Sequence, residues 1–416
     1  MSETRRPRPA RRIFTRLAAV VAADPAGTRQ GLLALLVSSG GDLVAGLTLG
    51  AITHTLDRLP GLLVLVPAAI GMRGNVFGAL GSRLGTAIHT GTFTTSRRRD
   101  TVVGQNVVAA VALSLSVSLA LAVLAKAVAV GFGLEHTIGV GDFVVISVVG
   151  GIISSAVVLV FTLAVAGASA RRDWDLDNVG SPLVTAAGDM VTLPSLWVAT
   201  FLVGIDWFTP AVAVAGAAVC VVVGVGALRS DLPLVRRIAR ESLPVLLVAG
   251  LVDVVAGLTI EKRLESFVSF PALLVLIPPF LEDTGALGGI LSSRLSTKLH
   301  LGTIDPVGVP QRAARDDFVL TFLYAVPVFA LVAVSADLAA AAAGLASPGV
   351  VKMVLTSLLG GFIATTFAIV IAYWGGIGAH RLGLDPDNHG IPLVTSSMDL
   401  VGAVSLIFAL VLLGIA

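Results

Sequence analysis

"DLVAGLTLG" at residues 42–50 and "DVVAGLTIE" at residues 253–261 are two copies of one phrase, 211 positions apart. The same spacing carries "PGLLVLVP" at 60–67 onto "PALLVLIP" at 271–278, and "GSRLGTAIHTGT" at 81–92 onto "SSRLSTKLHLGT" at 292–303. Further along, Gly150-Gly151 matches Gly360-Gly361, and "DLDNVGSPLVTAAGDM" at 175–190 matches "DPDNHGIPLVTSSMDL" at 385–400, now at an offset of 210. One residue was therefore gained or lost between Thr92 and Gly150, and the chain is a tandem duplication of a single unit.

The solvent of that unit follows from composition. Hydrophobic residues make up 56% of the 416 positions and charged residues only 13%, with a mean hydropathy of +0.95, far from the balance of a water-soluble domain. Runs such as 32–49, 107–130 and 144–166 approach or exceed the roughly 20 helical residues that cross a bilayer. Period-two alternation is absent, so helices must satisfy the backbone in lipid. Cys220, alone in the chain and inside an apolar run, excludes a disulfide framework and a cysteine metal site.

Hydropathy divides the first copy into spans near 31–56, 61–92, 102–129, 142–168 and 181–203, and the second into 242–261, 270–302, 317–345, 350–374 and 390–415. Five crossings would invert the second copy, but an extra apolar run at 210–228 restores its orientation. The expected fold is an all-α polytopic membrane protein of eleven spans. Two same-orientation five-helix repeats, 31–205 and 241–416, are joined by a linking transmembrane helix and loop at 206–240, with a pseudo-twofold axis along the membrane normal.

Residues 1–30 form a basic tail containing Arg5, Arg6, Arg8, Arg11, Arg12, Arg16 and Arg29, with no cleavage site after a short apolar core. Basic residues recur at 97–99, 171–172, 229–240, 312–315 and 381, in alternate loops. By the positive-inside tendency the N-terminus is expected in the cytoplasm and the C-terminus outside, in the cell membrane; Lys262 and Arg263 are the exception.

Intramembrane acids carry the functional expectation, because a charged group at mid-bilayer costs about 2.5–3.5 kcal/mol on insertion scales and is kept where it faces a cavity, a partner or an ion. Asp42, Asp253, Asp189 and Asp399 fit that description. Pro182 and Pro392 suit the first turn of a helix, with Asp189 and Asp399 seven residues on. Thr185 and Thr395 lie four residues before those acids and share their face. Across the axis the two faces would bring together two carboxylates and two hydroxyls, an oxygen set suited to Mg2+. The second span of each copy is too long for a simple crossing, and "GMRGN" at 71–75 reads as a break or kink. Asn75 there, and Glu282 and Asp283 in the second copy, could line the path of a hydrated ion. Arg83, Arg294, His89 and His300 read as structural.

These residues resemble a known family. The pattern from Pro67 to Gly91, followed by the two Asp-x-Asp-Asn motifs and their later aspartates, is similar to the membrane domain of MgtE-type magnesium channels, and the duplication resembles solute carrier family 41 magnesium transporters. The resemblance implies that Asp189 and Asp399, on the fifth helix of each copy, supply a magnesium site at the axis. It does not imply cytosolic magnesium-sensing gating, since only the basic tail accompanies the repeats, and Asn75 is matched by Ala286.

The expected function is transport of a divalent cation, Mg2+ first and Mn2+ or Co2+ next, through a site between the repeats. The metal residues are Asp189, Asp399, Thr185 and Thr395; Asn75, Asp283, Glu282, Asp42, Asp253, Asp177, Asp387, Asn178 and Asn388 line the path. Asp177 and Asp387 read either as a cytoplasmic vestibule or as caps on the helices that Pro182 and Pro392 begin. Exchange against Na+ or H+ and a non-transporting membrane scaffold are the alternatives. No catalytic motif such as HExxH or GxSxG occurs, so an enzyme is not expected. The partners are the cation and the lipid bilayer, not nucleic acid, and the chain is a pseudo-dimer in itself that could act as a monomer.

Overall fold

The computed structural model describes residues 25–94, 96, 98–134, 136–172, 176–381 and 391–415. Within them the secondary structure is helical throughout: α1 (Pro25–Ala51), α2 (Thr53–Arg58), α3 (Leu62–His89), α4 (Val102–Gly131), α5 (Val140–Arg172), α6 (Leu176–Thr200), α7 (Phe208–Leu228), α8 (Pro233–Glu261), α9 (Leu264–Ser269), α10 (Pro271–His300), α11 (Arg312–Ala342), α12 (Val350–Arg381) and α13 (Ile391–Leu412). Among the described residues, ten helices are long and apolar enough to cross a membrane, and α1 adds a shorter apolar stretch at Leu35–Ala51. The short helices α2 and α9 fall at the same repeat offset.

Burial ranks the helices from the centre of the bundle to its outside. The apolar windows of α3 and α10 are 72% and 78% buried inside the bundle, whereas that of α7 is 17% buried. The linking helix therefore runs along the outside, presenting Val214 and Val222 outward, while the second helix of each copy forms the centre.

The first helix of each copy packs into the other copy. α1 lies on α10 and α11, and α8 lies on α3 and α4, while each also packs on the fifth helix of its own copy, α6 and α13 respectively. Lipid tails are as apolar as leucine, so such contacts hold through close packing at small residues. A Cβ on Gly46 would stand 2.1 Å from the Val275 carbonyl oxygen, and one on Gly257 would stand 2.5 Å from that of Val64. Both pairs sit at the repeat spacing, so the glycines of the two opening phrases seat each first helix on the opposite copy's second helix.

Two polar contacts also recur at that spacing. Arg83 Nε donates to Asn106 Oδ1 at 2.8 Å, and Arg294 Nε to Asp317 Oδ1 at 3.0 Å. Ser147 Oγ donates to the Ser118 carbonyl at 2.6 Å, and Ser357 Oγ to that of Phe329 at 2.8 Å. Both arginines thus tie the second helix to the third. His300 approaches the Ser296 carbonyl at 2.9 Å and sets its ring edge-on to His380.

One cap is not duplicated. Gly61, at the N-cap of α3, has φ +96°, a left-handed conformation that glycine adopts without strain. Its N–H and that of Leu63 donate to the Glu261 carboxylate, 2.7 and 3.1 Å away, so α8 caps the helix on which it packs. The matching position in the first copy is Gly50, where a Cβ would meet Val275 Cγ2 at 2.7 Å. Losing a cap of this kind costs about 1–2 kcal/mol. Glu261→Ala is accordingly expected to lower the melting temperature of the detergent-purified protein by a few degrees; an unchanged melting temperature would show that the cap contributes nothing.

Two sequence expectations are corrected. α3 and α10 are unbroken through 71–75 and 282–286, with Pro67 in α3 and Pro278 and Pro279 in α10 lying inside the helices; the glycines serve close packing instead of a break. α6 begins at Leu176, six residues before Pro182, so this proline lies inside the helix and Asp189 is about 20 Å from its start at 1.5 Å per residue. Pro392 follows Ile391, the first described residue of α13.

Candidate functional site

Small residues decide where the acids meet. A Cβ on Gly41 would stand 2.8 Å from the Ala186 carbonyl oxygen, so α1 closes on α6 beside that residue. The next position, Asp42, sets its carboxylate against Asp189. In the second copy Asp253 of α8 lies against Asp399 of α13 and within reach of the Ser396 hydroxyl. Gly71 of α3 leaves room there, the Oδ2 atoms of Asp253 and Asp399 being 3.4 and 3.6 Å from where its Cβ would be.

Asp189 and Asp399 each lie against an aspartate of their own copy's first helix, and the charge of Asp189 also reaches Asp399. Glu282 of α10 lines a cleft with Asp399, and its charge reaches all four aspartates. Asp283 is turned toward α1 instead, where Ser39 Oγ lies 3.0 and 2.9 Å from its two oxygens and 2.8 Å from the Leu35 carbonyl.

Burial makes the arrangement costly. Asp42 is 0% exposed and Asp189 and Asp253 each 1%, yet both carboxylate oxygens of Asp42, both of Asp189, and Oδ1 of Asp253 accept no hydrogen bond. Acids in contact and without other donors are held together by a shared proton or by a cation. Among the described residues no three acid, histidine or cysteine side chains converge on one point, so a closed protein cage is absent there. Paired carboxylates fit an ion that keeps part of its water, as Mg2+ does.

A narrow cleft leads to the cluster between Val66, Pro67 and Ile70 of α3 and their counterparts Ile277, Pro278 and Leu281 of α10, with Glu282 and Asp399 as its polar lining. It lies toward the N-terminal ends of the two central helices.

The remaining expected residues divide into three groups. Thr185 packs its methyl on Gly74, 3.3 Å from the Cβ position. Thr395 packs on Gly285 at 3.8 Å, the same pair at the repeat spacing. Asn75 is half-buried on α3, one turn after Gly71 and on its face. Asp177 and Asn178 fall in the first turn of α6, but their side chains, and Asp387 and Asn388 entirely, lie outside the described residues, as does most of the basic tail.

Arg73 was not singled out by its motif. It is 1% exposed and points away from the acids, donating to Ser154 Oγ at 3.2 Å and Ser118 Oγ at 3.3 Å, while its Nη1 has no hydrogen-bond partner. A Cβ on Gly151 would meet Arg73 Nη2 at 2.5 Å, so the paired glycines of α5 make space for it. An arginine inside an otherwise apolar span was the available signal.

A family model described as MgtE, divalent cation transporter, matches residues 66–199 and again 277–409. The chain is similar to solute carrier family 41 member 2 of Xenopus laevis, 27% identical over 410 residues that take in 90% of this chain and 69% of that protein. It is 24% identical over 416 residues to member 2 of Homo sapiens, covering 90% and 68%. It is 23% identical over 403 residues to member 3 of Rattus norvegicus, covering 90% and 85%. No solved structure matches the chain.

Proposed function

Since the chain belongs to the MgtE family of divalent cation transporters, we propose that it carries Mg2+ across the membrane through the acid cluster between its two copies. Supporting this is the observation that buried aspartates from both copies meet in pairs with oxygens that accept no hydrogen bond. A scaffold would have no use for so costly a cluster. Asp189 and Asp399 are the principal ligands, with Asp42 and Asp253 beside them and Thr185, Thr395 and Asn75 along the wall. Mn2+ and Co2+, hard enough for the same oxygens, are the next substrates.

The topology we assign has eleven crossings, α1 being the eleventh, with repeats at 31–205 and 241–416 joined by 206–240. A pseudo-twofold axis along the membrane normal relates the repeats, the N-terminus is cytoplasmic and the C-terminus is outside. One chain holds both halves of the site and can act as a monomer. Hydrolytic or other enzyme chemistry has no place in this reading.

Exchange against Na+ or H+ is the alternative to simple downhill flow. Both readings are tested by reconstituting the purified protein in liposomes and following Mg2+, Mn2+ and Co2+ entry. Uptake driven by the divalent gradient alone is expected for a channel, and uptake that requires an opposing Na+ or proton gradient for an exchanger. Absence of flux under every gradient would refute transport.

A further inference from the structure

The duplication does not repeat every acid in the cluster: 211 residues before Glu282 and Asp283 stand Gly71 and Met72. Asp283 is engaged by Ser39. Glu282 is half-buried and opens onto the cleft. There it and Asp399 are the polar groups on walls otherwise made of valine, proline, isoleucine and leucine. Both come from the second copy. Gly71, next to Ile70 of the opposite wall, contributes no acid, and the Oδ2 atoms of Asp253 and Asp399 lie 3.4 and 3.6 Å from its Cβ position.

An ion descending this cleft therefore meets Glu282 and Asp399 first. Asp253 Oδ1, buried and without a hydrogen-bond donor, lies beside them. We propose that Glu282, together with Asp399 of the nearer pair, forms a loading site at the foot of the cleft, where a divalent cation that still holds most of its waters is bound before it passes to the other pair, Asp42 and Asp189. The inference rests on the transport reading and deepens it, making the path asymmetric, with the second copy as its point of entry from the cleft side. Two carboxylates with the balance made up by water is a normal coordination for Mg2+. It also agrees with the lack of any three-ligand convergence among the described residues.

Physical reasoning sets the size of the effect. A charge a few ångströms from a divalent ion at an effective dielectric near 20 is worth several kcal/mol before desolvation is subtracted, so a net loss of roughly tenfold in affinity is a conservative expectation on removing it. A raised half-saturating concentration is the signature of the lost binding.

Mn2+ binding to the full-length protein in detergent, read from the free-ion electron paramagnetic resonance signal, tests this directly. Glu282→Gln and Glu282→Gly, the latter copying Gly71, are each expected to weaken Mn2+ binding about tenfold and to raise the half-saturating Mg2+ concentration for liposome flux to match. Glu282→Asp, which keeps the charge, is expected to retain most of the affinity. The metal-free melting temperature of Glu282→Gln should be unchanged or higher, since a like charge has been removed, while the stabilisation produced by added Mg2+ shrinks.

Unchanged Mn2+ affinity in Glu282→Gln would overturn the proposal. So would a lower metal-free melting temperature with undiminished stabilisation by Mg2+, which would mark Glu282 as structural, and so would equal losses in Glu282→Asp and Glu282→Gln. If the wild type binds Mn2+ through Glu282 yet moves no divalent ion in liposomes, transport fails and the binding site stands.

Discussion

Asp189→Asn and Asp399→Asn are each expected to reduce divalent cation flux by about tenfold or more, the equivalent of losing at least ~1.4 kcal/mol of ion binding, and together to reduce it to that of protein-free liposomes. Each substitution is nearly isosteric and removes one charge from a pair whose partner, Asp42 or Asp253, remains. The single variants keep an intact pair in the other copy, which is why residual flux is expected in each and none in the double variant. Neutralising one member of a buried like-charged pair should not impair folding, so expression and melting temperature are expected to hold. Tracer uptake at matched protein density checks this, and full flux by the double variant would remove both residues from the pathway.

Gly46→Leu and Gly257→Leu are expected to abolish recovery of folded protein. The first atom of either side chain would stand 2.1 Å from the Val275 oxygen or 2.5 Å from the Val64 oxygen. In both places the obstacle is helix backbone, which cannot rotate aside as a flexible side chain can. Overpacking a core costs about 1–3 kcal/mol when side chains can yield, and here the first helix would have to separate from the opposite copy's second helix. Fluorescence-detected size exclusion of the tagged variants measures the outcome; a monodisperse peak at wild-type yield would show that the helices are not seated on these glycines. Gly40→Leu serves as the comparison, since a Cβ there meets nothing within 4 Å.

These two sets of substitutions also show what could be read from the chain. The offset between the two phrases revealed the duplication, and the spacing of "DLDNVGSPLVTAAGDM" and its partner brought Asp189 and Asp399 forward as a related pair. The family match in two segments, 66–199 and 277–409, agrees with that division. What sequence could not reveal is which helix faces which. In lipid, nearly every surface of a span is apolar, so periodicity does not distinguish the face that meets a neighbour from the face that meets the bilayer.

The exchange of α1 and α8 between the copies therefore went unread, and with it the pairing of Asp42 with Asp189 and of Asp253 with Asp399. The glycines at 71–75 suggested a broken helix, because glycine is permissive both of bending and of close approach; α3 runs through them unbroken, and Gly74 takes the close approach of Thr185. Glu261 ends the second opening phrase, and only the fold shows it as the cap of a helix 200 positions away. Glu282 could be aligned with Gly71 in the sequence, but only the fold places it on a cleft with Asp399.

The central claim is that the cation passes between the two copies at these carboxylates. Imaging the protein in saturating Mn2+, by anomalous scattering or by difference density against a chelated sample, tests it most directly. Density is expected among Asp42, Asp189, Asp253, Asp399 and Glu282, in direct or single-water contact with at least one aspartate of a pair, and should vanish in the Asp189→Asn, Asp399→Asn double variant. A cluster free of density at saturation, or density that persists unchanged in the double variant, would contradict the claim.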